Sequence, residues 1–410
     1  MISGSKHSRL SQSKAIESTL AQTLDVPFYE RTDWKHALAG NPENWSDLPR
    51  LTKAELRRHS PQNLLPRRFN LKNLIDQKII EEENTSGTSG ASVRVIFGIQ
   101  WWAEQEAKAF QKNDLIAKLN RQKGSLKRAV FTTPGCSGVS CFARWLNFDQ
   151  RIIGNTLYVN QSRIPFSIPE DKMKLMASET TQWQPDFLDV DPVHGMWFAL
   201  YCERNKIQFP SLHFIISSYE YTSVVHRRIM ERVFRVPVIN LYGSSETGHL
   251  LIQNGTNELV PSPETAYLEL VDSNEEGVGE LLVTTRTNPY LPLMRYEIGD
   301  LAEATTNGYL IHGRKRDALI GNSNNRISTR QVDELFKDIE NICHYQVRQS
   351  SDGKAEVLLL AENLDLASSQ VETTLSQRLK NLLGSSVITS YVPLITPEDS
   401  GKFRLTARMV

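Results

Sequence analysis

Four short stretches carry side chains whose types and spacing could handle phosphate chemistry. The first is Thr85-Ser86-Gly87-Thr88-Ser89-Gly90. Small residues there let backbone N–H groups and hydroxyls close around phosphate oxygens. A solvated Ser/Gly surface loop has the same composition, and no Gly-Lys-Ser/Thr follows to make a Walker loop. The second is Tyr242-Gly243-Ser244-Ser245-Glu246. Glu246 could hold Mg²⁺ and the two serines could bond phosphate oxygens, or the stretch is simply a turn after a strand. It is no hydrolase elbow, because Gly243-Ser244-Ser245-Glu246-Thr247 lacks the closing glycine. The third is Arg295-Tyr296-Glu297-Ile298-Gly299-Asp300, where a carboxylate after a glycine turn could grip ribose hydroxyls. The fourth pairs Gly313-Arg314-Lys315-Arg316-Asp317 with Ser400-Gly401-Lys402-Phe403, whose lysine would ordinarily be a solvated charge.

The elements that must position these stretches read as alternating helices and strands. Thr52 and Glu55 form a capping box that opens a helix. The pattern predicts a helix over 101–119, strands over 128–133 and 212–217, a helix over 221–234 and an apolar strand over 237–242. Such alternation predicts an α/β domain with mostly parallel sheets. From 267 to 285 the pattern turns to strands around Gly277 and Gly279, predicting an antiparallel β-module. Beyond Gly313 the order becomes a small α+β unit, with a capping box at Ser328-Thr329-Arg330-Gln331, a helix continuing to Glu340, and a second helix opened by Ser369-Gln370-Val371-Glu372. The expected organisation is therefore a large domain over 1–314 and a small, mobile C-terminal domain over 315–410.

Composition narrows the function classes. The chain has 410 residues with 47 Lys+Arg against 47 Asp+Glu, so no electrostatic footprint for nucleic acid is present. No apolar run approaches the roughly 18–20 residues that span a bilayer. The first residues show no signal-peptide pattern, and the four cysteines suit free thiols in a reducing cytoplasm. A zinc site from Cys136, Cys141, Cys202 and His194 lacks any close ligand pair.

Taken together and in this order, the four stretches resemble the superfamily of adenylate-forming acyl ligases. Thr85–Gly90 is similar to its phosphate loop, and Tyr242–Glu246 to its Tyr-Gly-x-Ser/Thr-Glu motif. Arg295-Tyr296-x-x-Gly299-Asp300 is similar to Arg-Tyr-x-Thr-Gly-Asp, Gly313-Arg314 to the hinge, and Gly401-Lys402 to the terminal lysine turn. Pro27-Phe28-Tyr29 and Leu48-Pro49-x-Leu51-Thr52-Lys53-x-Glu55-Leu56 resemble the phenylacetate–CoA ligase branch.

The resemblance implies two steps: ATP converts a carboxylic acid to an acyl-adenylate, and a thiol, of coenzyme A or an acyl carrier protein, then displaces AMP. It implies that Thr85, Ser86, Gly87, Thr88, Ser89 and Gly90 cradle phosphates and that Glu246 holds Mg²⁺. Tyr242 with Gly243, Ser244, Ser245, Tyr219 and Glu220 would line the nucleotide, Asp300 and Arg314 would hold the ribose, and Lys402 would meet the developing charge. The C-terminal domain would rotate about Lys315–Arg316, in a monomer or homodimer. The branch acts on aryl and arylacetic acids, some in degradation and some in antibiotic biosynthesis. Trp101, Trp102, Trp183, Trp197, Phe198 and Tyr201 are candidates for an aromatic pocket, though such residues are commonly core. Three positions depart from the pattern: Ala91 where a lysine is usual, Arg316 at the hinge, and Tyr219 in the adenine-lining segment. These leave open a second reading, an adenylation-only or impaired homologue that binds an acyl or adenylate ligand.

Overall fold

A computed structural model describes residues 23, 25–31, 33–35, 47–85, 92–131, 146–159, 162, 164–255, 257–363, 365 and 367–409. The phosphate-loop candidates Ser86 to Gly90, the departure at Ala91, and Cys136 and Cys141 lie outside them. The chain divides into two compact units. The first comprises Met1–Asn113, Gly243–Ile252 and Glu258–Tyr309, and the second Asp114–Tyr242, Gln253–Asn257 and Leu310–Val410.

The first unit is built on antiparallel strands. Ile80–Asn84 pairs with Arg94–Gly98 in a hairpin that carries the Thr85–Gly90 stretch in its connection. Ala266–Val271, Val278–Thr285 and Tyr296–Ala304 form the β-module expected from the Gly277 turn. The Asn274 side chain accepts N–H bonds from Glu276 and Val278 and so closes that turn. Thr52 and Glu55 form the capping box at the start of helix Lys53–His59. Leu51 bridges to Tyr296, which ties this helix to the third strand.

The second unit holds a parallel sheet. Thr156–Tyr158, Arg128–Phe131, Phe187–Val190, Phe214–Ser217 and Val238–Ser244 lie side by side in that order. Phe187–Val190 and Phe214–Ser217 are buried along their whole length, as strands covered on both faces must be. Helices Glu170–Trp183, Pro192–Arg204 and Val224–Phe234 cover them. The C-terminal residues add a four-stranded sheet ordered Val387–Tyr391, Ala355–Ala361, Ile342–Gln349, Thr406–Arg408, with helix Ser369–Leu383 as the crossover.

The fold class is thus mixed α/β, as the alternation predicts, with three local differences. The helix expected over 101–119 is two helices, Trp101–Phe110 and Asp114–Lys123. The second starts afresh because Asn254 accepts the Asp114 N–H. The helix opened by Ser328 ends at Asp333 and tightens to a 3₁₀ turn over Glu334–Phe336. Helix Ser369–Leu383 starts without a side-chain cap bond at Ser368. Among the described residues no helix is long and apolar enough to cross a membrane.

Candidate active site

The candidate residues fall into two groups, one within each unit. In the first unit Glu246 is buried on the turn between strands Val238–Ser244 and Gly248–Gln253. Its Oε1 receives the Lys53 ammonium at 3.1 Å and the Tyr296 hydroxyl at 3.2 Å. Burial pushes the carboxyl up, but the Lys53 charge, its own backbone N–H and Ser244 outweigh it and hold Glu246 below the usual range. Ser245 donates to Glu83 at 3.0 Å, and burial beside Glu246 raises the Glu83 carboxyl. Ser244 meets the Thr247 hydroxyl at 3.0 Å. A Cβ on Gly243 would lie 2.1 Å from the Gly248 carbonyl oxygen, so only glycine lets the turn close.

Thr85 fastens the base of the phosphate-loop candidate. Its backbone N–H donates to Val93 O at 2.8 Å and its hydroxyl accepts the Val93 N–H at 3.0 Å. Asp300 is buried on strand Tyr296–Ala304, where the register slips opposite Glu280 and Leu282. Such a bulge re-aims side chains, and Gly299 sits there at φ 87°. Arg295 is buried, paired with Glu269 at 3.2 Å, and donates to Leu48 O. It thus binds the N-terminal segment to the β-module.

In the second unit the candidates lie just past the carboxyl ends of parallel strands, where ligands bind in open α/β sheets. Asp191 follows Phe187–Val190, Tyr219 and Glu220 follow Phe214–Ser217, and Tyr242 stands two residues before the end of Val238–Ser244. Lys402, 183 residues from Tyr219 in sequence, donates its ammonium to the Tyr219 carbonyl at 2.9 Å. The adjacent Phe403 N–H donates to Glu220 Oε1 at 2.9 Å. Tyr219 has φ 73°, a left-handed conformation that costs a non-glycine residue about 1–3 kcal/mol and marks sites held by their surroundings. Arg314 ends strand Tyr309–Arg314, and Gly313 before it, at φ 94°, leaves no room for a Cβ against Thr329. Arg316 pairs with Glu398 at 3.3 Å, and Arg404 with Asp317 at 2.5 Å, so the segment over 316–317 is clamped to the chain flanking Lys402.

The aromatic candidates are mostly engaged as core. Trp101 and Trp102 pack with Phe97 in the first unit. In the second, the Trp183 ring lies under Lys127, Phe198 packs on Phe131 and Phe209, and Tyr201 is buried. Trp197 turns an edge to Phe166, which also meets Phe403. Cys202 and Cys343 are buried free thiols raised by burial, and among the described residues no metal-ligating cluster occurs.

Sequence reasoning missed three partners. Lys53 and Tyr296 stand in quoted motifs without a role, yet they are the groups that balance Glu246. Asp191 carried no signal beyond its position as a helix cap before Pro192.

No protein-family model matches the chain. The phenylacetate-coenzyme A ligase of Escherichia coli (strain K12) is 24% identical over 92% of this chain and 88% of its own length. That of Thermus thermophilus is 23% identical over 84% of this chain and 79% of its own. Protein CapK of Staphylococcus aureus is 27% identical, but the match spans 39% of this chain and 36% of that protein. Among solved structures, a 2-hydroxyisobutyryl-CoA ligase in the postadenylation state superposes with TM-score 0.70 at 15% identity, over 98% of this chain and 89% of the other. An anthranilate CoA ligase in complex with anthranoyl-AMP gives TM-score 0.59 at 14% identity, over 79% of this chain and 64% of its own.

Proposed function

We propose that this chain is an AMP-forming acid–thiol ligase of the adenylate-forming superfamily, in its phenylacetate–CoA ligase-like branch, as its likeness to the two phenylacetate-coenzyme A ligases supports. A carboxylate oxygen attacks the α-phosphorus of ATP and pyrophosphate leaves. A thiolate then attacks the acyl carbon of the adenylate and AMP leaves. The observation that carries this reading is the Lys402 ammonium seated on the Tyr219 carbonyl at the carboxyl end of the parallel sheet.

Each residue has a physical task in this reading. Lys402 sets a positive charge against the oxygens that gain charge as the acyl-phosphate bond forms. Tyr242 offers a face for adenine, Asp300 accepts from ribose hydroxyls, and Arg314 assists. The Thr85–Gly90 loop surrounds the outer phosphates, and Lys53 supplies a cation that Ala91 does not. Mg²⁺ is commonly held by one or two carboxylates together with substrate phosphates, and the buried Glu246 with Glu83 across Ser245 fits that donor set. When bound, Mg²⁺ would offset charge crowding between carboxylate and triphosphate. Residues 315–410 act as a lid on the 1–314 domain, turning about Lys315–Arg316 between the two steps. Coenzyme A is the acceptor favoured by the relatives, with a carrier-protein arm the other thiol.

The acid is proposed to be aromatic, a reading supported by the phenylacetate and anthranilate ligases to which the chain is similar. Tyr219, bulky and left-handed where the family is small, favours the adenylation-only reading. The deciding experiment is pyrophosphate release from ATP and Mg²⁺ with a panel of aryl, arylacetic and aliphatic acids, with and without coenzyme A. Release that depends on one class of acid supports the ligase. Absence of pyrophosphate and AMP with every acid and acceptor moves the assignment to a ligand-binding homologue.

A further inference from the structure

Beneath the Lys402 turn lies a carboxyl pair that the proposed mechanism does not use. Asp191 caps helix Pro192–Arg204 and is fully buried. Its Oδ1 accepts from Val193 N–H at 3.0 Å, from His194 N–H at 3.4 Å and meets His194 Nδ1 at 3.2 Å. The other nitrogen of His194 lies 2.9 Å from the Ser162 carbonyl, so the imidazole is fixed at both ends. Asp191 Oδ2, by contrast, is buried and receives no N–H or O–H from any of the described residues. Asp191 and Glu220 follow the paired strands Phe187–Val190 and Phe214–Ser217, whose ends are joined by the Ser218 N–H to the Val190 carbonyl at 3.1 Å, and this sets the Glu220 side chain beside Asp191. Two ionised carboxylates in contact in a dry site repel strongly, and the pair is relieved when one holds a proton.

The surroundings say which one. Asp191 sits at a helix N-terminus, where backbone N–H groups and the helix dipole favour the anion. Glu220 has one backbone donor, Phe403 N–H at 2.9 Å. Burial first, and then the Asp191 charge, push the Glu220 carboxyl well up, while Asp191 is held below its usual value. Among the described residues, the other titratable or charged groups facing the pair are His194 on the same helix, Lys402 on the turn, and His226 on helix Val224–Phe234. His344 of strand Ile342–Gln349 lies behind them, against both His226 and Phe403.

We infer that Glu220 is a neutral acid that donates its proton to Asp191 Oδ2 while accepting the Phe403 N–H, and that this contact positions Lys402 for the first half-reaction. Glu220 is thus, in this proposal, a positioning residue and not the nucleotide-lining group that the resemblance implies: it acts by holding the turn that presents the ammonium. The chain Ser162–His194–Asp191–Glu220–Phe403 ties the strand ends to the C-terminal turn. This inference rests on the ligase reading for its kinetic consequence but not for its structural one.

The test compares Glu220→Gln with Glu220→Leu in the full-length protein. Glutamine retains a carbonyl for Phe403 and an N–H for Asp191, whereas leucine retains neither. The expected result is amide exchange at Phe403 at least about tenfold faster in Glu220→Leu, with Glu220→Gln close to wild type and the core amide of Val347 unchanged. Acid-dependent pyrophosphate exchange should fall on the order of 10²-fold in Glu220→Leu. Transfer from supplied acyl-adenylate to thiol should change by less than about threefold, and KM for ATP should hold. Glu220→Gln should retain at least about ten times the exchange activity of Glu220→Leu. A difference infrared spectrum, wild type minus Glu220→Gln, should show a protonated carboxyl carbonyl band near neutral pH, and this measurement does not need the leucine variant to fold. Absence of that band, unchanged Phe403 exchange in a folded Glu220→Leu, or Glu220→Gln as impaired as Glu220→Leu would each overturn the inference. If wild type releases no pyrophosphate with any acid, the ligase reading fails, while the infrared and exchange measurements still decide the proton and the contact.

Discussion

Replacing Asp333 with Asn should change how the second unit's stability responds to pH. Asp333 is buried, and its Oδ1 accepts from the Ser223 hydroxyl at 2.5 Å and the Tyr345 hydroxyl at 2.6 Å. Its Oδ2 accepts the Val224 N–H at 2.9 Å, so one carboxylate ties helix Val224–Phe234 to the C-terminal strands. Burial outweighs these bonds and pushes the carboxyl from 3.8 up to about 6. A carboxyl raised in this way stabilises the fold fully below its unfolded value and loses that contribution as pH rises through about 6. Going from about pH 8 to about pH 5, wild type therefore gains about 1 kcal/mol from Asp333.

His226 works in the opposite sense. Its ring stacks on His344 with Nε2 and Nδ1 3.0 Å apart, and burial holds it down from 6.5 to about 4. A depressed imidazole contributes stability above its unfolded value and loses it as pH falls toward about 4. By about pH 5 some 2 kcal/mol, to order of magnitude, is gone. The two contributions partly offset in wild type. Asp333→Asn removes the first alone, so the stability gap between wild type and variant should widen in favour of wild type by about 1 kcal/mol between about pH 8 and about pH 5. Urea unfolding of both proteins at several pH values measures that gap, and groups common to both cancel. A gap that stays flat, or widens toward alkaline pH, refutes the assignment of a raised carboxyl at Asp333.

Two more outcomes follow from single side chains. Lys402→Ala should lower acid-dependent pyrophosphate release on the order of 10²–10³-fold while affecting thiol transfer from preformed acyl-adenylate far less; equal losses in both steps would count against its proposed task. Arg151 is fully buried, bonded to the Leu146 and Tyr158 carbonyls and 2.6 Å from Glu179. Arg151→Met leaves that carboxylate unpaired and should cost about 3–5 kcal/mol in urea unfolding, whereas the Arg151→Met/Glu179→Leu pair should recover part of the loss.

Local signals were legible wherever a few neighbouring residues decide the outcome. The Thr52–Glu55 capping box, the Gly277 turn, strand Ala355–Ala361 and helix Ser369–Leu383 all stand where periodicity and turn chemistry put them. So did the motifs themselves, because a turn past a strand end needs small residues and a carboxylate in fixed order. The break between Trp101–Phe110 and Asp114–Lys123 was not legible, since it depends on Asn254, 140 residues away.

The residue order by itself determined the α/β class, the antiparallel module and the ordered set of motif residues, because each rests on short-range patterns of polarity, glycine and caps. Only the tertiary structure decided what balances them. Lys53 and Tyr296 on Glu246, Asp191 against Glu220, and Lys402 on the Tyr219 carbonyl are contacts between distant segments. Charge and proton occupancy at a buried carboxyl depend on desolvation and on whichever groups folding brings within a few ångströms, and neither is written in local sequence.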